Sequence, residues 1–258
     1  MPAAPYPSPH HSRVLIVTGG SRGIGAATAR LAARRGYSVC VNYLQGQPAA
    51  QEVVRAIEEE NGRAIAVQAD ISAESDVVRL FETVDRELGR LSALVNNAAT
   101  IAPQMRLDSM DAARLQRIFA TNVIGTFLCS REAVRRMSTQ DGGMGGAIVN
   151  VSSAAARLGS AGEYIDYAAS KGAVDTLTIG LAKEVAKEGI RVNAVRPGLI
   201  YTDLHDSSGE PGRVDRLKKM VAMKRGGQPE EIATAILWLL SDEASYTTGA
   251  ILDVTRGR

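Results

Sequence analysis

The sequence predicts a single-domain α/β protein: a doubly wound parallel sheet of seven strands with helices on both faces. Three observations predict it. Short apolar runs of strand length alternate with longer alanine-rich or amphipathic stretches along the chain. The short runs are continuously apolar, as strands covered on both faces are. The first three long stretches each end at a glycine, Gly36, Gly62 and Gly89.

In order, Val14 to Thr18 (VLIVT) is a β-branched run stopped by glycines, and Ile24 to Arg35 is a helix. Ser38 to Tyr43 is the second strand, Pro48 to Glu60 a helix and Ala64 to Asp70 the third strand. Glu74 to Leu88 is amphipathic, and Leu91 to Asn96 is the fourth strand. A long helix over Asp111 to Met137 precedes a glycine-rich loop and the strand Ala147 to Ser152. A second long helix, Tyr164 to Glu188, leads to the strand Ile190 to Val195, ended by Pro197. Glu230 to Leu240 is the last helix and AILDV the last strand. The polar stretch from Leu199 to Gln228 interrupts this rhythm. A loop of that length in a compact domain is functional or mobile, and we read it as a lid over a site at the strand ends.

The chain has 258 residues, 45% of them hydrophobic, enough for one domain with a large core. A net charge of +2, with scattered basic residues, argues against nucleic acid. The two cysteines, Cys40 and Cys129, sit in apolar segments and suggest no disulfide framework. Three histidines (His10, His11 and His205) leave little for a histidine metal site or a Ser-His-Asp triad, and no metal is expected. Residues 1–12 read as a flexible proline-rich tail, and 13–258 as the domain. No apolar run reaches the roughly 18 residues of a membrane span, and the expected location is cytoplasmic.

TGGSRGIG, Thr18 to Gly25, follows the first strand and opens the first helix. Glycines there let the backbone approach a phosphate, and the helix N-terminus offers free N–H groups. The spacing is not GxGxxG, and no P-loop lysine follows. The second strand ends in Asn42, Tyr43 and Leu44, with no acidic residue for a ribose 2′-hydroxyl. With Arg22 in the turn, this favours NADP over NAD; the alternative for Arg22 is a solvated surface arginine. Asp70 is a candidate for the adenine amine or for capping the next helix, where Ser72 is the better cap.

EYIDYAASK holds Tyr164, Tyr167 and Lys171. Tyr167 and Lys171, four apart on a helix, can meet, and a nearby ammonium lowers a phenol pKa. Tyr164 lies about 10 Å further along the axis and reads as a pocket wall.

Taken together these motifs resemble the short-chain dehydrogenase/reductase family over roughly residues 13 to 255. TGGSRGIG resembles its TGxxxGxG, NNAA (Asn96 to Ala99) its NNAG, and Asn122 its asparagine. VNVSS resembles its serine strand, YAASK its YxxxK, and RPGLIYT its PGxIxT segment. Six motifs in family order are specific. The resemblance implies a Rossmann-like fold and hydride transfer between NADP(H), with NAD as the alternative, and a carbonyl or secondary alcohol. Tyr167 would be the general acid or base. Lys171 would lower its pKa and hold the nicotinamide ribose. Ser153 would polarise the substrate oxygen, and Asn122 would anchor a proton-relaying water. The implied cofactor site comprises Gly19, Ser21, Arg22, Gly23, Ile24 and Gly25 in the turn, Asn42 and Tyr43, Asp70 and Ile71, and Asn97. Tyr167, Lys171, Pro197, Gly198, Ile200 and Thr202 complete it.

The chain also departs from the family pattern. The serine usually stands thirteen before the tyrosine, where this chain has Ala154, so the intervening loop carries one extra residue. Ser153 is the expected serine, with Ser152 as the alternative because alternate strand residues face opposite sides; Ser160 is nearer in sequence but lies in the loop. Ala99 replaces a glycine beside the cofactor. Arg256 stands where relatives show glycine at a subunit contact. A homo-oligomer is implied, a tetramer or a dimer, with the two long helices as the other interface. Tyr201, His205, Arg213 and Lys218 are candidates for choosing the substrate or are solvated. The competing function is an NADP(H) sensor without turnover. A serine hydrolase lacks its GxSxG elbow. Within the family the chain resembles sugar dehydrogenases, beta-ketoacyl-carrier-protein reductases and uncharacterised oxidoreductases.

Overall fold

The computed structural model describes residues 13–204, 208–255 and 257. The expected tail, with His10 and His11, lies outside the described residues, as do His205 and Arg256. Seven strands form one parallel sheet: β1 (Arg13–Val17), β2 (Tyr37–Tyr43), β3 (Arg63–Gln68), β4 (Leu91–Asn96), β5 (Gly146–Val151), β6 (Ile190–Pro197) and β7 (Ile251–Val254). Their order is β3-β2-β1-β4-β5-β6-β7, a Rossmann-like arrangement that reverses direction between β1 and β4.

Among the described residues the α-helices are α1 (Gly23–Arg34), α2 (Gln47–Glu59), α3 (Glu74–Glu87), α4 (Ala112–Phe119), α5 (Thr126–Met137), α6 (Ala155–Leu158), α7 (Ile165–Val185), α8 (Arg213–Leu217) and α9 (Pro229–Leu240). Period-two side-chain alternation divides the core into two layers. Leu15 and Val17 of β1 face one cluster, completed by residues of α1, α2 and α9. Val14 and Ile16 face the other, with α3, α5 and α7. Both cysteines are buried and free.

Two local features were not legible in the hydrophobic pattern. The β1–β4 register skips Ser92, so Val14 pairs with Leu91 and Leu15 with Ala93. The Ser92 hydroxyl makes both missing contacts, accepting from Val14 N and donating to Val14 O, each at 3.1 Å. The long helix expected from Asp111 to Met137 is continuous but contains a π-helical segment, Ala120–Gly125, between α4 and α5. Such bulges occur often at functional positions, and this one holds Asn122.

The end of β3 and the start of α3 also differ from expectation. Strand β3 stops at Gln68, and Ala73, not Ser72, occupies the α3 N-cap position without a side-chain bond. The Asp70 carboxylate draws Ser72 away, accepting from its N–H at 2.9 Å and its hydroxyl at 2.7 Å. This is an Asx turn. No helix among the described residues is long and apolar enough to cross a membrane.

Candidate active site

A cavity of about 1110 Å³ lies at the carboxyl ends of the strands, in the crevice opened where the strand order reverses. One end is the turn from Thr18 to Gly25. Gly19 has φ +60°, which glycine adopts freely. Thr18 Oγ1 accepts from the N–H groups of Asn97 and Ala98, both at 3.0 Å, and so staples β1 to β4. Asn97 Nδ2 donates to Thr18 O at 3.0 Å and Gly19 O at 2.9 Å. A Cβ on Gly25 would lie 2.6 Å from Asn97 Nδ2, so the helix start can sit this close only without a side chain. Thr202 packs over the other side, 3.3 Å from where a Gly23 Cβ would be.

The exposed N–H groups at the α1 start and the bare backbone before it suit a phosphate. Arg22, exposed and extended, stands at the α1 N-cap position and lines the cavity. Ser21, Ile24, Tyr43, Asp70 and Ile71 line the same end.

Asn42, expected at the cofactor, lines the cavity, but its side chain is occupied by the protein. It is 1% exposed. Its Nδ2 donates to Val67 O at 3.3 Å and Ala69 O at 3.1 Å, and its Oδ1 accepts from Gly19 N at 3.4 Å. With Gly20 N bonded to Asn42 O at 2.8 Å, the residue braces the turn and leaves no amide N–H for a ribose. Its partners lie 23 to 27 residues away, and no local pattern announces them. Asn97, expected against the cofactor, likewise spends its amide N–H groups on the turn.

At the cavity's other end, Tyr167 and Lys171 on α7 meet the end of β5. Tyr167 is 8% exposed and Lys171 3%. Ser153 and Tyr167 line the cavity together, and the serine hydroxyl acts on the phenol to lower its pKa. Ser152 also lines the cavity; it is buried, and its hydroxyl donates to Lys171 O at 3.2 Å. Ser153 is the serine whose hydroxyl acts on the Tyr167 phenol. The extra loop residue is absorbed by α6 and three left-handed residues, Gly159, Ser160 and Gly162, so the serine and tyrosine still meet.

Lys171 Nζ donates to Val151 O at 2.7 Å and stands 5.6 Å from the Tyr167 ring centroid. The expected lowering of the tyrosine by the lysine is not found in the protein alone. Burial pushes the Tyr167 phenol up to about 12, and the bond with Ser153 acts against this. Burial also pulls Lys171 down to about 8, with Asp175 opposing. Desolvation disfavours both charged forms.

Asn122 is fully buried, and its side chain is committed. It accepts from Thr100 N at 2.7 Å and donates to Thr100 O and Ser170 Oγ, each at 3.0 Å. Ser170 Oγ in turn donates to Tyr167 O at 2.7 Å. The asparagine side chain therefore clamps the π segment to α7. Sequence reading missed Ser170 and Thr18, which each join elements distant in sequence.

Pro197, Gly198, Ile200 and Thr202 line the wall after β6. Of the substrate-choosing candidates, Arg213 reaches the cavity. Tyr201 and Lys218 bond Asp215, at 2.9 and 2.7 Å. Tyr164 is buried against the cavity, as expected of a pocket wall. Among the described residues, no group of three or more His, Cys, Asp or Glu could hold a metal.

A family model described as Enoyl-(Acyl carrier protein) reductase matches residues 19–258. "Uncharacterized oxidoreductase YgfF" of Escherichia coli (strain K12) is 59% identical over 245 residues, covering 95% of this chain and 99% of that one. A solved short-chain type dehydrogenase/reductase from Mycobacterium marinum superposes with TM-score 0.88 at 31% identity, over 94% of each chain. The chain belongs to the short-chain dehydrogenase/reductase family. A third relative, "Glucose 1-dehydrogenase 2" of Bacillus subtilis (strain 168), is 37% identical over 95% of this chain and 94% of that one. As a member of this oxidoreductase family the chain carries a site for NAD(P) and a small molecule. The long cavity, glycine cradle and Tyr-Ser pair agree with it.

Proposed function

We propose that this short-chain dehydrogenase/reductase reduces a carbonyl group, or oxidises the corresponding secondary alcohol, with NADP(H). The observation that carries the reading is the gathering of Ser153, Tyr167 and Lys171 in the wall of the cavity that also holds the glycine turn. The bound dinucleotide would supply or accept the hydride. Ser153 would orient the substrate oxygen, and Tyr167 would give it a proton in reduction or take one in oxidation. A phenol raised by burial is fully protonated at neutral pH, so the site is set for proton donation.

Gly19, Ser21, Gly23, Ile24 and Gly25 would hold the pyrophosphate, with Tyr43, Asp70 and Ile71 around the adenosine. Ile200 and Thr202 would face the nicotinamide. The exposed Arg22, and the lack of an acidic side chain after β2, support NADP over NAD. Residues 199–228 would act as a lid, closed by Arg213 against Tyr164. Exposed apolar residues on the two long helices, Phe127 and Ile179, support assembly of copies through that face, as a dimer or tetramer. The test is a panel of ketones, sugars and alcohols assayed with NADPH, NADH and their oxidised forms. The reading expects turnover of a carbonyl with NADPH preferred; a strong NADH preference would remove the assignment of Arg22.

A further inference from the structure

Asp175 lies one helical turn beyond Lys171, the same spacing that brings Lys171 to Tyr167. It is 6% exposed. Its Oδ2 takes both of its hydrogen bonds from Arg196, Nε at 3.0 Å and Nη2 at 2.8 Å. Its Oδ1 is buried without a hydrogen-bond partner. A half-satisfied buried carboxylate is costly and calls for a reason. Arg196 precedes Pro197 on β6, where the strand enters the cavity wall, and is itself shared with Asp253 of β7, 3.6 Å from its Nη1. The guanidinium therefore does not cancel the Asp175 charge on its own.

Among the described residues, Lys171 shares its cavity with Arg22, Asp70, Glu163, Asp203 and Arg213, and the elements packed against it carry further charges. Helix α7 presents Tyr167 and Asp175, β6 presents Arg196, β7 presents Asp253, and α6 presents Arg157, which pairs with Asp253. The α4 side presents Arg114, whose charge is matched by Asp166. Strand β5, the residues after it and the π segment present uncharged groups: Val151, Ser152, Ser153 and Asn122.

We propose that Asp175 is a positioning residue, its carboxylate pinned by Arg196 so that its field keeps the buried Lys171 amine in the ammonium form beside Tyr167. The proposal rests on the role given to Lys171 above, but its test does not need turnover. Burial draws Lys171 down, and Asp175 is the charge that opposes this.

The chain has six lysines, so ¹³Cε-lysine NMR of the whole protein gives a countable spectrum, with K171R assigning the resonance. Lys171 should titrate near 8 in the wild-type chain. In D175N the midpoint should fall by about one pH unit, a tenfold change in ionisation, and D175E should restore it. The alkaline limb of kcat/KM should move by the same amount. An unmoved midpoint in D175N overturns the proposal, even if activity falls, since that marks a purely structural residue. Should D175N fail to fold, the comparison is R196Q against R196Q/D175N, where no guanidinium is left unpaired, with the same two outcomes. A wild-type chain without turnover would sink the proposed function and leave the NMR result standing.

Discussion

The Arg213 guanidinium lies over the ring of Tyr164, 4.9 Å from its centroid. The same guanidinium bonds Glu210 at 2.8 Å and pairs with Glu163, and Glu210 accepts from Gln104 Nε2 at 2.6 Å. One side chain thereby joins the segment after β6, the loop after β4 and the start of α7 over the cavity. Arg213→Ala should raise the KM for the carbonyl substrate about tenfold, while kcat stays within about threefold. Steady-state kinetics with dinucleotide saturating would show it.

Asn42 behaves as a brace, and this sets what Asn42→Asp will do. A carboxylate cannot donate to Val67 O and Ala69 O, which Asn42 Nδ2 bonds, and it would place a charge at a site 1% exposed. The variant should lose about 2–4 kcal/mol of stability rather than switch preference to NAD. Urea unfolding and NADH kinetics together test this.

Lys171 works against stability. Its value in the folded chain lies near 8, below the 10.5 of an ordinary lysine, so the unfolded chain binds the extra proton between those values. The penalty is full below pH about 8 and disappears as pH rises to about 10.5. Lys171→Met removes that penalty, at most about 3 kcal/mol, and leaves Val151 O without its donor, at about 1–3 kcal/mol. The variant should lose turnover yet be at least as stable as wild type at neutral pH. Its advantage should shrink through the alkaline range. Calorimetry at several pH values would measure this.

Arg114 and Asp166 form a buried pair, 2.7 Å apart, with side chains 5% and 1% exposed. Asp166 also accepts from the Tyr167 N–H at 2.9 Å, and Arg114 Nη1 donates to Pro103 O at 2.6 Å. Arg114→Met leaves the carboxylate buried and unpaired, and should cost about 3–5 kcal/mol. Arg114→Met with Asp166→Asn should recover part of that loss in denaturant titrations.

The reach of the sequence follows the range of the interactions. Continuous apolar runs place the strands because β1 buries Val14 and Ile16 on one face and Leu15 and Val17 on the other. Spacing alone pairs Tyr167 with Lys171, since both sit on one helix face. Residue type does not separate Ser152 from Ser153, and in the fold both lie just past the end of β5, at the cavity. The bracing bonds of Asn42, Thr18 and Asn122 were not legible because their partners lie 22 or more residues away. The sign of the Tyr167 shift escaped because residue types do not report burial, and desolvation dominates it.

The most direct test of the account is the turnover of Tyr167→Phe, set beside its dinucleotide binding. Removing the hydroxyl takes away the proton donor but leaves the glycine turn, Asn97 and Thr202 untouched. The account predicts that kcat for carbonyl reduction falls at least about a thousandfold, while NADPH affinity by fluorescence stays within about threefold. Carbonyl reduction within about tenfold of wild type would contradict the assignment of Tyr167 as the acid.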